Sequence, residues 1–194
     1  MLRWGRGLKG LIWTWGLTCL LLWIAPACGN SSPSNSQISN LRDFVREHLE
    51  ELNEILSPLM SQEREKEVPE ALLKYYSDQA DQGHPLVFGV SVLNKDGILV
   101  AGRYPHPDRP EGFPETVVGT NYSQYHGVSQ VLRDRRLYQA VYYVNDGGRL
   151  FIVCGPLAEA DIAVGVACLG FSGQNLRKDF GISEHEFQEM DFNH

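Results

Sequence analysis

The sequence predicts an α+β domain: a five-stranded antiparallel sheet with a long N-terminal helix and shorter helices on one side. Three observations carry that prediction. Apolar residues recur at helical spacing from Ile38 to Leu59, two Gly-containing turns sit between apolar runs, and Ile162 to Phe171 is almost continuously apolar.

The elements follow in order. Leu41, Phe44, Val45, Leu49, Leu52, Ile55, Leu56 and Leu59 form one stripe, and Arg42, Asp43, Arg46, Glu47, Glu50, Glu51 and Glu54 cover the opposite face. Ser39 or Asn40 suits the N-cap of this helix, and Pro58 should bend or end it in its last turn. A second helix is predicted over PEALLKYYSDQA, with Pro69 in its first turn, and Gly83-His84-Pro85 breaks the pattern. Leu86 to Asn94 and Ile98 to Tyr104 then flank Lys95-Asp96-Gly97, a hairpin signal. A Pro-rich loop from Pro105 to Glu115 leads to a short helix near Ser123 to Arg133. Tyr138 to Val144 and Arg149 to Gly155 flank Asn145-Asp146-Gly147-Gly148, a second hairpin, and Ile162 to Phe171 reads as a central strand. The tail predicts one or two short helices, with Ser183 and Glu186 placed as a capping box.

Composition fits one globular domain. Of 194 residues 43% are hydrophobic and 21% charged, and the net charge is −7. So acidic a chain argues against a nucleic-acid partner, because phosphate binding wants a basic face.

The charge is unevenly placed. Arg3, Arg6 and Lys9 precede an uncharged apolar run from Leu11 to Ile24 that ends in Ala25-Pro26-Ala27-Cys28, the layout of a secretory signal peptide. The apolar run is shorter than the roughly 20 residues a spanning helix needs, which makes an uncleaved anchor the weaker reading. The stretch IAPAC resembles the lipobox of bacterial lipoproteins, which makes Cys28 the lipidated mature N-terminus. Ala25-Pro26-Ala27 equally satisfies ordinary signal peptidase, so a plainly secreted protein stays open. GNSSPSNSQ follows, too polar to bury itself. The expected organisation is a signal peptide over 1–27, a flexible tether over 28–37 and one domain over 38–194 with a helical tail. The expected location is extracytoplasmic, facing the periplasm, tied to a bacterial membrane by lipid.

Three words in order, VSVLNKDGILVAGRYP (Val90 to Pro105), GTNYSQYHGVSQVLRD (Gly119 to Asp134) and IVCGPLAEADIAVGVACLGF (Ile152 to Phe171), resemble the Cache domain, the extracellular PAS-like sensor module of bacterial receptors. The last resembles that family's closing hairpin, with Pro156 and Gly165 at its spacing. The resemblance implies a pocket between the sheet and the loop with its short helix. Ligand-binding residues at matching positions are Arg103 and Tyr104, then Tyr122, Tyr125 and His126, then Tyr138 and Tyr142. Arginine offers a planar fork for a carboxylate, and tyrosine an apolar wall with one hydroxyl, a mixture suited to a small organic acid or amino acid. Such domains usually sit between two membrane-spanning helices. Here the implied partner is a separate membrane receptor or kinase, and the long helix is a candidate homodimer surface. The alternative is a docking or dimerisation module without a small-molecule ligand.

Other chemistry finds little support. The six histidines (His48, His84, His106, His126, His185, His194) lack metal-ligand spacing, so no metal and no cofactor are expected. No nucleophile-elbow, P-loop or zinc-protease motif is present, and no catalytic activity is expected. Arg133 to Arg136 reads as a solvated helix end. If Pro156 faces Val166 across the last hairpin, Cys154 lies opposite Cys168, with Cβ atoms about 4.5–5.5 Å apart. The two then pair in an oxidising compartment or stay as small reduced core residues.

Overall fold

Why the long amphipathic stretch folds as it does is visible from what its stripe meets. In the computed structural model, which describes residues 35–82, 88–106, 108–114, 117–143 and 148–194, helix α1 spans Asn35–Ser61. The expected signal segment, Cys28, most of the expected tether and residues 144–147, where the second hairpin is expected to turn, lie outside the described residues. Helix α1 begins within the stretch expected to be tether and ahead of both expected caps. Ser39 instead donates its hydroxyl to Asp43 from inside the helix (3.2 Å). Among the described residues no helix is long and apolar enough to cross a membrane.

The sheet has six antiparallel strands rather than five: β1 (Gly89–Asn94), β2 (Leu99–His106), β3 (Arg109–Pro114), β4 (Tyr138–Tyr143), β5 (Arg149–Glu159) and β6 (Ile162–Ser172), in the spatial order β3-β2-β1-β6-β5-β4. The extra strand comes from the Pro-rich segment read as a loop. Strand β3 is an edge, pairing only with β2, and an edge tolerates prolines that a central strand cannot. Strand β6 is central, as its apolar run required.

Strand β5 runs four residues past its predicted end, pairing with β6 as far as Glu159↔Ile162, and the β5–β6 turn carries no glycine. Ala160 and Asp161 make it, with φ of 47° and 66°. The register sets Pro156 opposite Val166 and Cys154 opposite Cys168, and a disulfide joins the two cysteines. A bulge at Leu157/Ala158 frees the Ala158 N–H from the ladder, and it donates to the Asn53 side-chain oxygen on α1 at 2.7 Å.

One face of the sheet is sealed. Leu41, Val45, Leu52 and Leu56 of α1 and Leu72 and Tyr76 of α2 (Val68–Asp81) bury Val90, Val92, Phe151, Leu169 and Phe171. The Tyr76 hydroxyl lies 2.9 Å from the carbonyls of both Phe88 and Arg103, sharing its one proton between β1's approach and β2. The tail adds a single turn α4 (Gly173–Asn175), a π-helical turn (Leu176–Phe180) and α5 (Glu184–Glu189), whose Ser183/Glu186 capping box is complete. Leu176, Ile182, Phe187 and Phe192 close this core.

The helices do not all lie on one side. Helix α3 (His126–Asp134) packs on the other face, where Val128 and Val131 meet Leu93, Leu99, Val166 and the disulfide. With only these two buried valines it covers that face in part.

Candidate ligand cavity

Alternation along the strands decides what the second face offers. Ser91 and Leu93 of β1 point away from α1, as do Leu150, Ile152 and Cys154 of β5 and Cys168 of β6. Over this floor stands the segment before α3, held down by backbone bonds. The Leu99 N–H donates to Thr120 O at 2.9 Å, Gly119 N–H to Leu99 O at 2.8 Å, and Tyr122 N–H to Gly97 O at 2.7 Å. Gly97 serves both the hairpin and this strap: its φ is +75°, and a Cβ there would fall 2.7 Å from Ser123 Cα. An Asx-type turn, Ser123 N–H to the Asn121 side-chain oxygen at 2.8 Å, then aims Tyr122 and Tyr125 over the sheet.

Between floor and strap lies a cavity of about 460 Å³, within the range of small-molecule sites. Tyr104, Tyr122, Tyr125, Val128 and Tyr142 wall it, and the 75%-exposed Tyr143 stands at its rim. The rings form a row: Tyr122 and Tyr125 have centroids 5.3 Å apart, and Tyr125 and Tyr142 are 5.6 Å apart, both pairs inclined. Burial, with Tyr138 and Tyr125 beside it, pushes the Tyr142 hydroxyl up from its ordinary pKa, so it stays protonated at neutral pH.

The seven residues proposed from sequence separate. Tyr104, Tyr122, Tyr125 and Tyr142 come together around the cavity. Arg103 does not join them. It pairs across the ladder with Val90 and so faces α2, buried, donating to Gly112 O at 3.2 Å. Neighbours in a strand face opposite ways, so Arg103 and Tyr104 never shared a face. Tyr138 lies beneath α3, so close that a Cβ on Gly127 would meet its ring at 2.6 Å, and His126 packs edge-on against it at 5.6 Å. Neither lines the cavity. Sequence reasoning missed the floor: Ser91, Leu93, Leu99, Leu150, Ile152 and the disulfide. Strand alternation opposite the helix-facing Val90 and Val92 was the signal that could have found Ser91. Among the described residues no cluster of metal-binding side chains occurs.

No family model matches the sequence, and no curated protein is similar to it in sequence. Solved structures share its fold. One is the extracellular domain of a protein described as a histidine kinase, with TM-score 0.60 and 11% identity over 75% of this chain and 55% of that one. Another is a domain of a sensory box/GGDEF family protein from Vibrio parahaemolyticus, with TM-score 0.58 and 12% identity over 78% of this chain and 60% of that one. A third is the ligand-binding domain of the Campylobacter jejuni chemoreceptor Tlp3 in complex with L-norvaline, with TM-score 0.53 and 10% identity over 76% of this chain and 57% of that one. The chain thus spans 55–60% of the length of these structures. It has the Cache-like, PAS-like fold of extracellular sensory domains.

Proposed function

We propose that this protein is an exported, non-enzymatic sensor domain that binds a small extracytoplasmic molecule and acts through a separate membrane receptor or kinase. The observation that carries the reading is the cavity of about 460 Å³ between the outer sheet face and the strapped Tyr122–Tyr125 segment. A docking module calls for a filled interior there, and the space between floor and strap favours the sensor reading. The signal segment and Cys28 support export and lipid tethering of the domain to a bacterial membrane. A homodimer through α1 would have to use that helix's charged outer face, because its apolar stripe is engaged by the sheet.

The small organic acid or amino acid implied by the resemblance loses its carboxylate partner, since Arg103 lies under α2. A thermal-shift screen of residues 29–194 against amino acids, carboxylates, amines and purines tests the reading. A ligand at a hundred times its Kd stabilises the fold by about 2.7 kcal/mol, several degrees in Tm. A hit weakened by Tyr122→Ala supports the sensor. A cooperative melt that no compound shifts moves the function to the docking module.

A further inference from the structure

Resting on that reading, the geometry points to an uncharged, flat ring compound as the class of molecule the cavity accepts, rather than an amino acid or a carboxylate. Four of the chain's eight tyrosines, Tyr104, Tyr122, Tyr125 and Tyr142, wall this one cavity, and Tyr143 stands at its rim with the Arg149 guanidinium over its ring. Opposite them the floor is aliphatic, with Leu93, Leu99, Leu150 and Ile152. The inclined Tyr122–Tyr125 and Tyr125–Tyr142 pairs present ring faces and edges together, the surfaces an aromatic guest stacks on or meets edge-on. A flat ring laid on branched aliphatic side chains beneath tyrosines buries apolar area on both of its sides.

Among the described residues that line the cavity, the polar side chains are of one kind. Ser91 and the tyrosines bring neutral hydroxyls, each able to donate once and to accept. They suit ring nitrogens, carbonyls or hydroxyls at the edge of a guest. A carboxylate brought onto this floor leaves water for hydroxyls alone: Arg103 is on the far side of the sheet, bonded to the Gly112 carbonyl, and Arg149, over the Tyr143 ring at the rim, is ion-paired with Glu184. An ammonium would gain from tyrosine faces but not from the aliphatic floor, which cannot replace its hydration.

Indole, indole-3-acetate and tryptamine share one bicyclic ring and differ in charge, so calorimetric titration of the protein with each isolates the charge preference. The expected result is a Kd for indole at least tenfold below those of the other two. Ile152→Arg, with Leu150→Arg as a second variant should the first not fold, should invert the order in favour of indole-3-acetate. Tightest binding by indole-3-acetate overturns the uncharged class and leaves the sensor reading standing. Tightest binding by tryptamine overturns it in favour of a cation. If none of the three binds while a screening hit is displaced by Ile152→Arg, the ring class fails alone. If nothing binds a cooperatively folded protein, the sensor reading fails beneath it.

Discussion

The two faces of one sheet are closed in different ways. On the α1/α2 face, Phe88, Phe151 and Phe171 are fully covered by two helices and the C-terminal turns, and the buried His48, Ser57 and Tyr76 bond to protein partners. On the α3 face, nine helical residues with two buried valines cover part of the floor, and tyrosines bridge the gap. The difference lies in the covering segment. Helix α1 supplies an apolar residue every three or four positions over about six turns, whereas the strap before α3 is held by backbone bonds to Gly97 and Leu99. Such a strap positions side chains without filling the space beneath them. Stability concentrates on one face and room for a ligand on the other.

Substitution should separate the faces most sharply at their aromatic residues. Phe171→Ala removes a fully buried ring stacked near Phe88 (5.6 Å) and is expected to cost about 3–5 kcal/mol in urea denaturation. Tyr125→Ala, at a residue 45% exposed, should cost well under half of that. Comparable losses would mean the cavity is in fact a second packed core.

The sealed face also holds a titrating group. His48 Nδ1 lies 2.5 Å from the Tyr75 hydroxyl, with Phe44 and Phe88 against its ring, and burial lowers its pKa to about 4. The Glu51 carboxylate, 3.6 Å away and 41% exposed, does not offset that burial. The unfolded chain takes up this proton below a pH of about 6.5, while the folded chain resists until about 4. Stability should therefore be intact above pH 6.5 and fall progressively towards pH 4, by about 3 kcal/mol in all. Denaturation of His48→Gln alongside the parent isolates this slope. Equal slopes would place the acid sensitivity elsewhere.

Smaller effects sharpen the contrast. Replacing Cys154 and Cys168 together by Ala opens a loop of separation 14 beneath the cavity and should cost about 2–3 kcal/mol. Asn53→Ala strands the Ala158 N–H at the bulge on the sealed side, an expected loss of about 1–2 kcal/mol. At the β5–β6 turn, outside both covers, Asp161→Gly relieves a φ of 66° and should stabilise by roughly 0.5 kcal/mol or slightly more.

The legible parts of this fold are those whose pattern has one physical solution. A 3.6-residue stripe against a charged face can only be a surface helix, and the run from Ile162 to Phe171 can only be central. The Pro156–Val166 register entered the sequence reading only as a condition; the fold meets it, and Cys154 lies opposite Cys168. Strand β3 was obscured by prolines that an edge permits. The side taken by α3 was obscured because two valines do not say which face they cover. Period-two alternation could have removed Arg103 once Tyr104 was chosen, but the choice between them needs the Val90↔Arg103 register, a long-range fact. Tyr138 was on the correct face and was lost only because α3 sits on it.

Methyl NMR of the protein titrated with indole tests the central claim most directly. Shifts are expected at Leu93, Leu99, Leu150 and Ile152, with Leu41, Leu52 and Leu72 unmoved. Shifts at the second set with the first unmoved would contradict it, placing the ligand on the sealed face and leaving the tyrosine-walled cavity without a role.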